Sequence, residues 1–381
     1  MSTLIVAPAI PDMAAAFRDA PNAELFTKLI LTIPAIAIVV CAPLAGWIID
    51  RFGRLKILYA SMLLYGAAGM AGAALDDLGH ILISRALLGV AIAGTMTTMT
   101  TLAGDYFHGE ARARFSSMQS VVMSLGAVVA VAIAGMVAEV HWRYAFLLYG
   151  TGWILLIVVW RWLDEPDRAI ESKAAVAVAG ESGGATLHEE RTPGLRPQLA
   201  LLYTVSLFAV AMFYVIHVQA PFVARAAGTT SASLIGFALA MSSSTAAVSS
   251  WQYPALRRRA SFAQIYALSF ALMAIGYGLI AALPSYSMLF LGSAFAGLGV
   301  GLFFPNGSVW AVTIAPPELR GRVSGGLTAS VFLGQFLSPI LLQPAVSKYG
   351  AVGAFGAGAV LLALGAGMFA VGPSLLRTRP A

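Results

Sequence analysis

The sequence predicts an all-α membrane protein in which two six-helix bundles, related by a pseudo-two-fold, flank a polar linker. Three observations carry this. Hydrophobic residues make up 59% of the 381 positions and mean hydropathy is +0.83, so polar surface is too scarce to cover a water-soluble globule. Uncharged or nearly uncharged runs recur at close to the roughly 20 residues that cross a hydrocarbon core about 30 Å thick. A single long polar stretch divides the chain, and the sequences on its two sides match under a shift of 208 residues.

The runs fall at Leu29–Ile49, Ile57–Leu75, Leu78–Leu102, Ser116–Ala138, Tyr144–Trp160, Leu199–Ala224, Ser231–Leu256, Ala260–Leu283, Tyr286–Ala315, Val323–Ser347 and Ala351–Leu376. They are too long for barrel strands, and a lipid-embedded backbone must satisfy its own hydrogen bonds, so each is read as a helix. The opening "MSTLIVAPAIPDMAAAF" is apolar but short, with two prolines and Asp12. It lacks the basic start of a signal peptide and is read as part of a shortened first helix whose beginning lies upstream of Met1.

Lys and Arg in short loops resist translocation, so their distribution sets the sidedness. Arg51, Arg54, Lys56, Arg112, Arg114, Arg161, Arg168, Lys173, Arg191, Arg196, Arg257, Arg258, Arg259, Arg320, Arg322, Arg377 and Arg379 fall on one side, against Arg18, Lys28, Arg143, Arg225 and Lys348 on the other. This asymmetry puts the loop after Ile49 and both termini in the cytoplasm, which requires twelve spans. The net charge of +6 then reports orientation, and no loop is long enough to gather a nucleic-acid-binding face.

The stretch Asp164–Pro197 is polar and poor in large apolar residues, and reads as a flexible linker. It separates an amino-terminal bundle (1–163) from a carboxyl-terminal one (198–381). Under the 208-residue shift, Glu110-Ala-Arg112-Ala-Arg114 overlies Glu318-Leu-Arg320-Gly-Arg322, Gly89 overlies Gly297 and Arg51 overlies Arg259. Agreement at three separate places favours duplication over chance.

The nine-position pattern Gly46-x-x-x-Asp50-Arg51-x-Gly53-Arg54 resembles the signature between helices two and three of the major facilitator superfamily of secondary transporters. The resemblance extends to the six-plus-six layout, the central linker, the "ISRALLGVAIAG" helix containing Arg85 and the E-x-R-x-R loops. Within that family the chain is most similar to the drug:proton antiporter-like branch.

Two readings of the charged stretch stand side by side. Arg51, Arg54 and Lys56 could be positive-inside anchors, with Asp50 capping the next helix. The family implies instead that Asp50 faces the start of helix eleven near Ser324–Gly326, where unpaired N–H groups favour an anion. Arg54 and Asp105 would join that charge cluster, Arg112 would lie beside it, and Gly46 and Gly53 would allow close backbone approach. Such a latch would form when the transporter is shut on the inside and break when it opens.

An ionised Arg85 within a span should face the bundle interior. It is either a structural arginine bonded to carbonyls of a neighbouring helix or, by resemblance, a residue bordering the central cavity that influences proton exchange. No Asp or Glu lies mid-helix, so the titrating candidates are Asp12 and His217; a lone histidine beside Tyr214 and Gln219 could equally be packing. The helix-five antiporter motif is degraded in "GAVVAVAIAG": Ala130 and Val131 occupy its Gly-Pro positions, while Gly126 and Gly135 remain.

Alternating access places a site near the midplane, which in this family is lined by helices one, four, seven and ten. Candidates are Thr98, Met99, Phe208, Met212, Phe213, Tyr214, Phe303, Phe304, Asn306 and Trp310, with Gln119 and Gln335 on adjoining helices. Aromatics, methionines and a few amides suit an apolar or amphipathic ligand, although any of these could be ordinary packing.

The expected function is transport of a small organic molecule by alternating access, as proton-coupled efflux. The alternatives are a uniporter or importer of a small metabolite, or a truncated non-transporting relative. No enzyme signature and no nucleotide-binding loop appears. No metal or cofactor is expected; the partners are a small-molecule substrate, a proton or other coupling ion and the bilayer, around a monomer. Lone Cys41 offers no intramolecular disulfide. The expected location is a bacterial cytoplasmic (inner) membrane.

Overall fold

The computed structural model describes residues 2–107, 109–163, 195–316 and 319–371. Every regular element among them is helical: α1 (Ile10–Ala16), α2 (Ala23–Phe52), α3 (Arg54–Ala71), α4 (Leu78–Tyr106), α5 (Gly109–Val140), α6 (Tyr144–Leu147), α7 (Thr151–Trp162), α8 (Leu195–Ala226), α9 (Ala232–Arg257), α10 (Phe262–Ala282), α11 (Tyr286–Ile314), α12 (Arg320–Leu341) and α13 (Gln343–Val371). A 3₁₀ turn, Leu148–Gly150, joins α6 to α7 into one span, giving six helical units on each side of the linker. Nine helices among the described residues are long and apolar enough to cross a membrane.

The first helix is short, as the sequence predicts. Pro8 and Pro11 remove backbone donors, so the chain passes through 3₁₀ turns at Ser2–Leu4 and Ala7–Ala9 before α1 forms. α8 begins at Leu195, within the stretch Asp164–Pro197 expected as a linker, of which residues 164–194 lie outside the described residues; Pro197 sits in its first turn, where a missing N–H costs nothing. The boundary predicted between Ser347 and Ala351 survives as a break at Gly350, whose φ of 69° interrupts α13. A further break, not expected from sequence, falls at Leu342 just before Pro344.

The turn from α2 to α3 is a single residue. Gly53 is buried with φ 99° and ψ 155°, a conformation that any side chain would strain. Its counterpart under the shift, Ser261, makes the turn by other means. It caps α10 in a capping box: its hydroxyl accepts from the Gln264 N–H (3.3 Å), and the Gln264 amide oxygen accepts from its own N–H (2.8 Å).

The packing repeats as the sequence does. In the amino half α4 lies against both α2 and α3; in the carboxyl half α11 lies against both α9 and α10. A Cβ added at Gly89 would collide with the Pro34 carbonyl and Ala37, and one at Gly297 with the Ser242 carbonyl and Thr245. Pro34 to Ser242 and Ala37 to Thr245 are again shifts of 208, so equivalent glycines let equivalent backbones approach at equivalent points.

Across the boundary between the halves, α5 packs on α9 and α2 on α12. Gly135 of α5 and Gly236 of α9 meet backbone to backbone. Farther along the same helices, Gly126 on α5 and Gly321 and Gly325 on α12 have open space around them. Among the described residues, the ion pair and the carboxylate contacts between the halves lie at the Asp12 end.

Candidate functional site

Four side chains from both halves meet in a buried seam. Gln335 of α12 is 3% exposed; its amide donates to the Thr3 hydroxyl (3.2 Å) and to the Leu31 carbonyl of α2 (3.4 Å). The Tyr214 hydroxyl of α8 lies near Thr3, and the Tyr214 ring lies 5.7 Å from that of His217, with Phe213 at 4.7 Å from the imidazole. His217 and Gln219 are fully buried, and their polar atoms make no side-chain hydrogen bond among the described residues. Unpaired buried polar groups are costly, so a place where they gather between two halves is suited to a ligand or to water.

Polar contacts close the seam at one rim. Asp12 of α1 pairs with Arg225 of α8. Glu139 of α5 accepts from the Ser231 hydroxyl (2.9 Å) and from the Ser233 N–H (2.8 Å) at the start of α9, where a carboxylate also meets the positive end of the helix dipole. Lys28 of α2, fully buried and paired with Glu24, sits over the Phe222 ring of α8 at 4.7 Å. Asp12, Glu139, His141, Trp142 and Arg225 line a cleft of about 350 Å³ at this rim.

At the opposite rim Arg54 and Asp105 approach to 3.3 Å, both nearly buried. Both belong to the amino half, so this pair ties the start of α3 to the end of α4 and does not bridge the halves. Arg51 is exposed and stacks on Trp47 and Phe52. Gly46 lies within α2 with nothing within 4 Å of a would-be Cβ, so the close approach expected there is absent in this conformation; the turn relies on Gly53 alone. The side chains of Asp50 and Arg112 lie outside the described residues.

Of its two readings, Arg85 takes the structural one, bonded to carbonyls of a neighbouring helix, rather than the cavity-bordering position expected by resemblance. It is 1% exposed and points into the amino half, donating to the carbonyls of Ala68 (2.8 Å) and Gly69 (2.5 Å) on α3. Its guanidinium lies 4.8 Å from the Phe146 ring centroid and 5.0 Å from that of Tyr149. Small residues explain this placement: Gly69 receives Tyr149 and Gly72 receives Phe146, which brings α6 close enough to α3 to cage the cation.

Of the cavity candidates, Tyr214 and Gln335 reach the seam, with Phe213 beside His217. Thr98 is buried and bonded within its own helix, and Met99 packs with Leu55, Leu58, Met62 and Leu102 in the amino half. Met212, Phe208, Phe303, Asn306 and Trp310 serve the interior of the carboxyl half. The Met212 carbonyl accepts from Tyr277, Phe208 packs on Phe270, Phe303 packs on Tyr266, Asn306 bonds Tyr253 and the Phe262 carbonyl, and Trp310 packs on Phe262 and Tyr266. Gln119 and Phe304 are exposed. The sequence reading missed Thr3 in the seam, and Lys28, Glu139 and Arg225 as rim contacts.

The profile of the Major Facilitator Superfamily matches residues 1–262. The chain belongs to that superfamily. Its fold is that of solved members: a D-xylose–proton symporter superposes with a TM-score of 0.78 at 14% identity, covering 97% of this chain and 93% of that one. A bacterial homologue of the human lysosomal transporter Spinster, in an inward-facing and occupied conformation, superposes with 0.73 at 16% identity over 100% and 97% of the two chains. Among sequence relatives, the 3-(3-hydroxy-phenyl)propionate transporter of Escherichia coli K12 is 23% identical over 79% of this chain and 72% of its own length. The putative multidrug resistance protein MdtD of Pectobacterium atrosepticum is 27% identical over 39% of this chain and 31% of its own, and the bacillibactin exporter of Bacillus subtilis is 34% identical over 22% of each. The matches to these last two therefore span less than a third of the relatives' lengths.

Proposed function

We propose that this superfamily member moves a small amphipathic organic molecule across a bacterial cytoplasmic membrane by alternating access, as a monomer, in proton-coupled efflux. The observation that carries the reading is the seam of Thr3, Tyr214, His217 and Gln335, drawn from both halves and, among the described residues, closed by polar contacts at the Asp12 rim. A ligand there would meet aromatic faces and a few hydrogen-bonding groups but no fixed charge, which favours an apolar body with a polar tip.

The positive-inside distribution assigns the Arg54 end and both termini to the cytoplasm, so this conformation would be the one that loads from inside. Opening outward requires parting Asp12 from Arg225 and Glu139 from the start of α9. Protonating Asp12 from the outside would neutralise one partner and favour that step, while Asp50 would meet the start of α12 near Ser324–Gly326 to shut the inside. His217 is the second coupling candidate. Arg85, caged among α3 and α6 groups, would act by holding the amino half rigid.

The test is flux of lipophilic cations and organic acids in reconstituted vesicles with an imposed pH gradient. Gradient-driven efflux that falls about tenfold in Asp12→Asn, in the range of conformational coupling energies, is the expected result. Flux indifferent to the gradient would make the protein a uniporter, import would reverse its direction, and absence of flux for every compound would mark a non-transporting relative.

A further inference from the structure

A second cavity, separate from the seam, lies in the carboxyl half. It has a volume of about 710 Å³ and is lined by Ser249, Gln252, Ala255 and Leu256 of α9, Leu268 and Leu272 of α10, Leu298 and Leu302 of α11, and Arg258 and Arg259 of the following loop. Helices α9 and α10 each pack along α11 but scarcely touch one another. The cavity is therefore a groove with α11 as its floor, and Gln252, Ala255 and Leu268 are exposed along its walls. Its depth is leucine; its mouth is arginine.

Among the described residues, no ion pair is formed by the arginines at that mouth. Arg257 is engaged by the chain itself, donating to the Ala260 carbonyl (3.0 Å) with its guanidinium 3.8 Å from the Phe262 ring centroid. Arg258 and Arg259 line the groove, and no acidic residue does. Residues 195–381 contain a single acid, Glu318. The amino half is built otherwise at the same place: under the 208-residue shift Ala255 replaces Trp47 and Arg258 replaces Asp50. Both changes favour an anionic ligand, one by removing bulk from the wall and the other by reversing the charge at the mouth.

We propose that this groove binds an anionic phospholipid, its phosphate diester held by Arg258 and Arg259 and one acyl chain laid along Leu256, Leu268, Leu272, Leu298 and Leu302. The arginines lie at one end of α9 and the leucines extend from there along the helices. That is the geometry of a headgroup above a tail, and basic residues at a membrane surface attract anionic lipid. The assignment is independent of what the protein transports.

Native mass spectrometry of the full chain in detergent, titrated with phosphatidylglycerol and with phosphatidylcholine of identical acyl chains, tests it. The expected result is retention of phosphatidylglycerol over phosphatidylcholine by about thirtyfold, from two arginine contacts. That preference vanishes in Arg258→Gln/Arg259→Gln and persists in the equally discharged Arg320→Gln/Arg322→Gln. Ala255→Trp, which rebuilds the wall of the amino half, should weaken retention of both lipids; Leu268→Glu, at an exposed wall position, reads the same property should the tryptophan block folding. Equal retention of the two lipids, equal loss in the two arginine double variants, or displacement by excess inorganic phosphate overturns the proposal.

Discussion

The two halves share a frame and differ in what they bury. Arg85 in the amino half corresponds to Ser293 in the carboxyl half, Arg54 to Phe262 and Asp105 to Thr313. Where one half holds a caged cation and a nearly buried ion pair, the other packs rings: Tyr266 lies 5.2 Å from Phe369, 5.6 Å from Phe303 and 6.0 Å from Trp310. What the halves keep in common is backbone proximity at Gly89 and Gly297. The duplicated fold thus depends on where helices can approach closely, and the polar chemistry can differ between the halves.

This contrast can be broken or sharpened by paired substitutions, read by thermal or denaturant unfolding of the purified protein. The largest difference is expected at the Arg85 pair. Arg85→Ala removes two bonds to carbonyls and leaves a void against Phe146 and Tyr149, a loss of about 3–5 kcal/mol, whereas Ser293→Ala should stay within about 0.5 kcal/mol. Next comes Asp105→Asn, which removes a carboxylate charge 3.3 Å from the nearly buried Arg54 and should cost about 2–3 kcal/mol; its counterpart Thr313→Ala removes only an exposed bond to the Val309 carbonyl and should change little.

Where the frame is shared, the pairs should agree. Gly89→Ala and Gly297→Ala each force a methyl into a neighbouring carbonyl and should cost about 1–3 kcal/mol, alike to within about 0.5 kcal/mol. A large inequality would mean that the repeat is topological only. The smallest effects, about 1 kcal/mol each, belong to Gly53→Ala, through strain at positive φ, and Ser261→Ala, through loss of a cap. These are different causes at matching turns.

The frame was legible because membrane helices and loops carry strong one-dimensional signals. Run length gave the helices, arginines gave the loops, and the 208-residue shift gave the duplication, later matched at Pro34 and Ser242. The seam was mostly illegible. In a water-soluble helix an apolar stripe marks the buried face, but α4, α8 and α11 are apolar on every side, so nothing distinguished Tyr214 and Gln335, which reach the seam, from Asn306 and Trp310, which do not. The two readings of Arg85 stayed open for the same reason. One usable signal went unread: Gly66, Gly69 and Gly72 form a three-residue stripe on α3, which receives Trp153, Tyr149 and Phe146 and marks the face toward which Arg85 turns. Lys28 was lost because it stands just before the uncharged run starting at Leu29, and Thr3 carried no signal at all.

The central claim is that the halves rock about the seam, opening one rim as they shut the other. Electron–electron distance measurements on the Cys41→Ser background test it most directly, with one label pair at Phe52→Cys and Trp251→Cys near the Arg54 rim and another at Val140→Cys and Ala227→Cys near the Asp12 rim. As the pH is lowered across the reconstituted protein, the first distance should shorten and the second lengthen within the same population. Two distances that stay fixed, or that change in the same direction, would contradict the account.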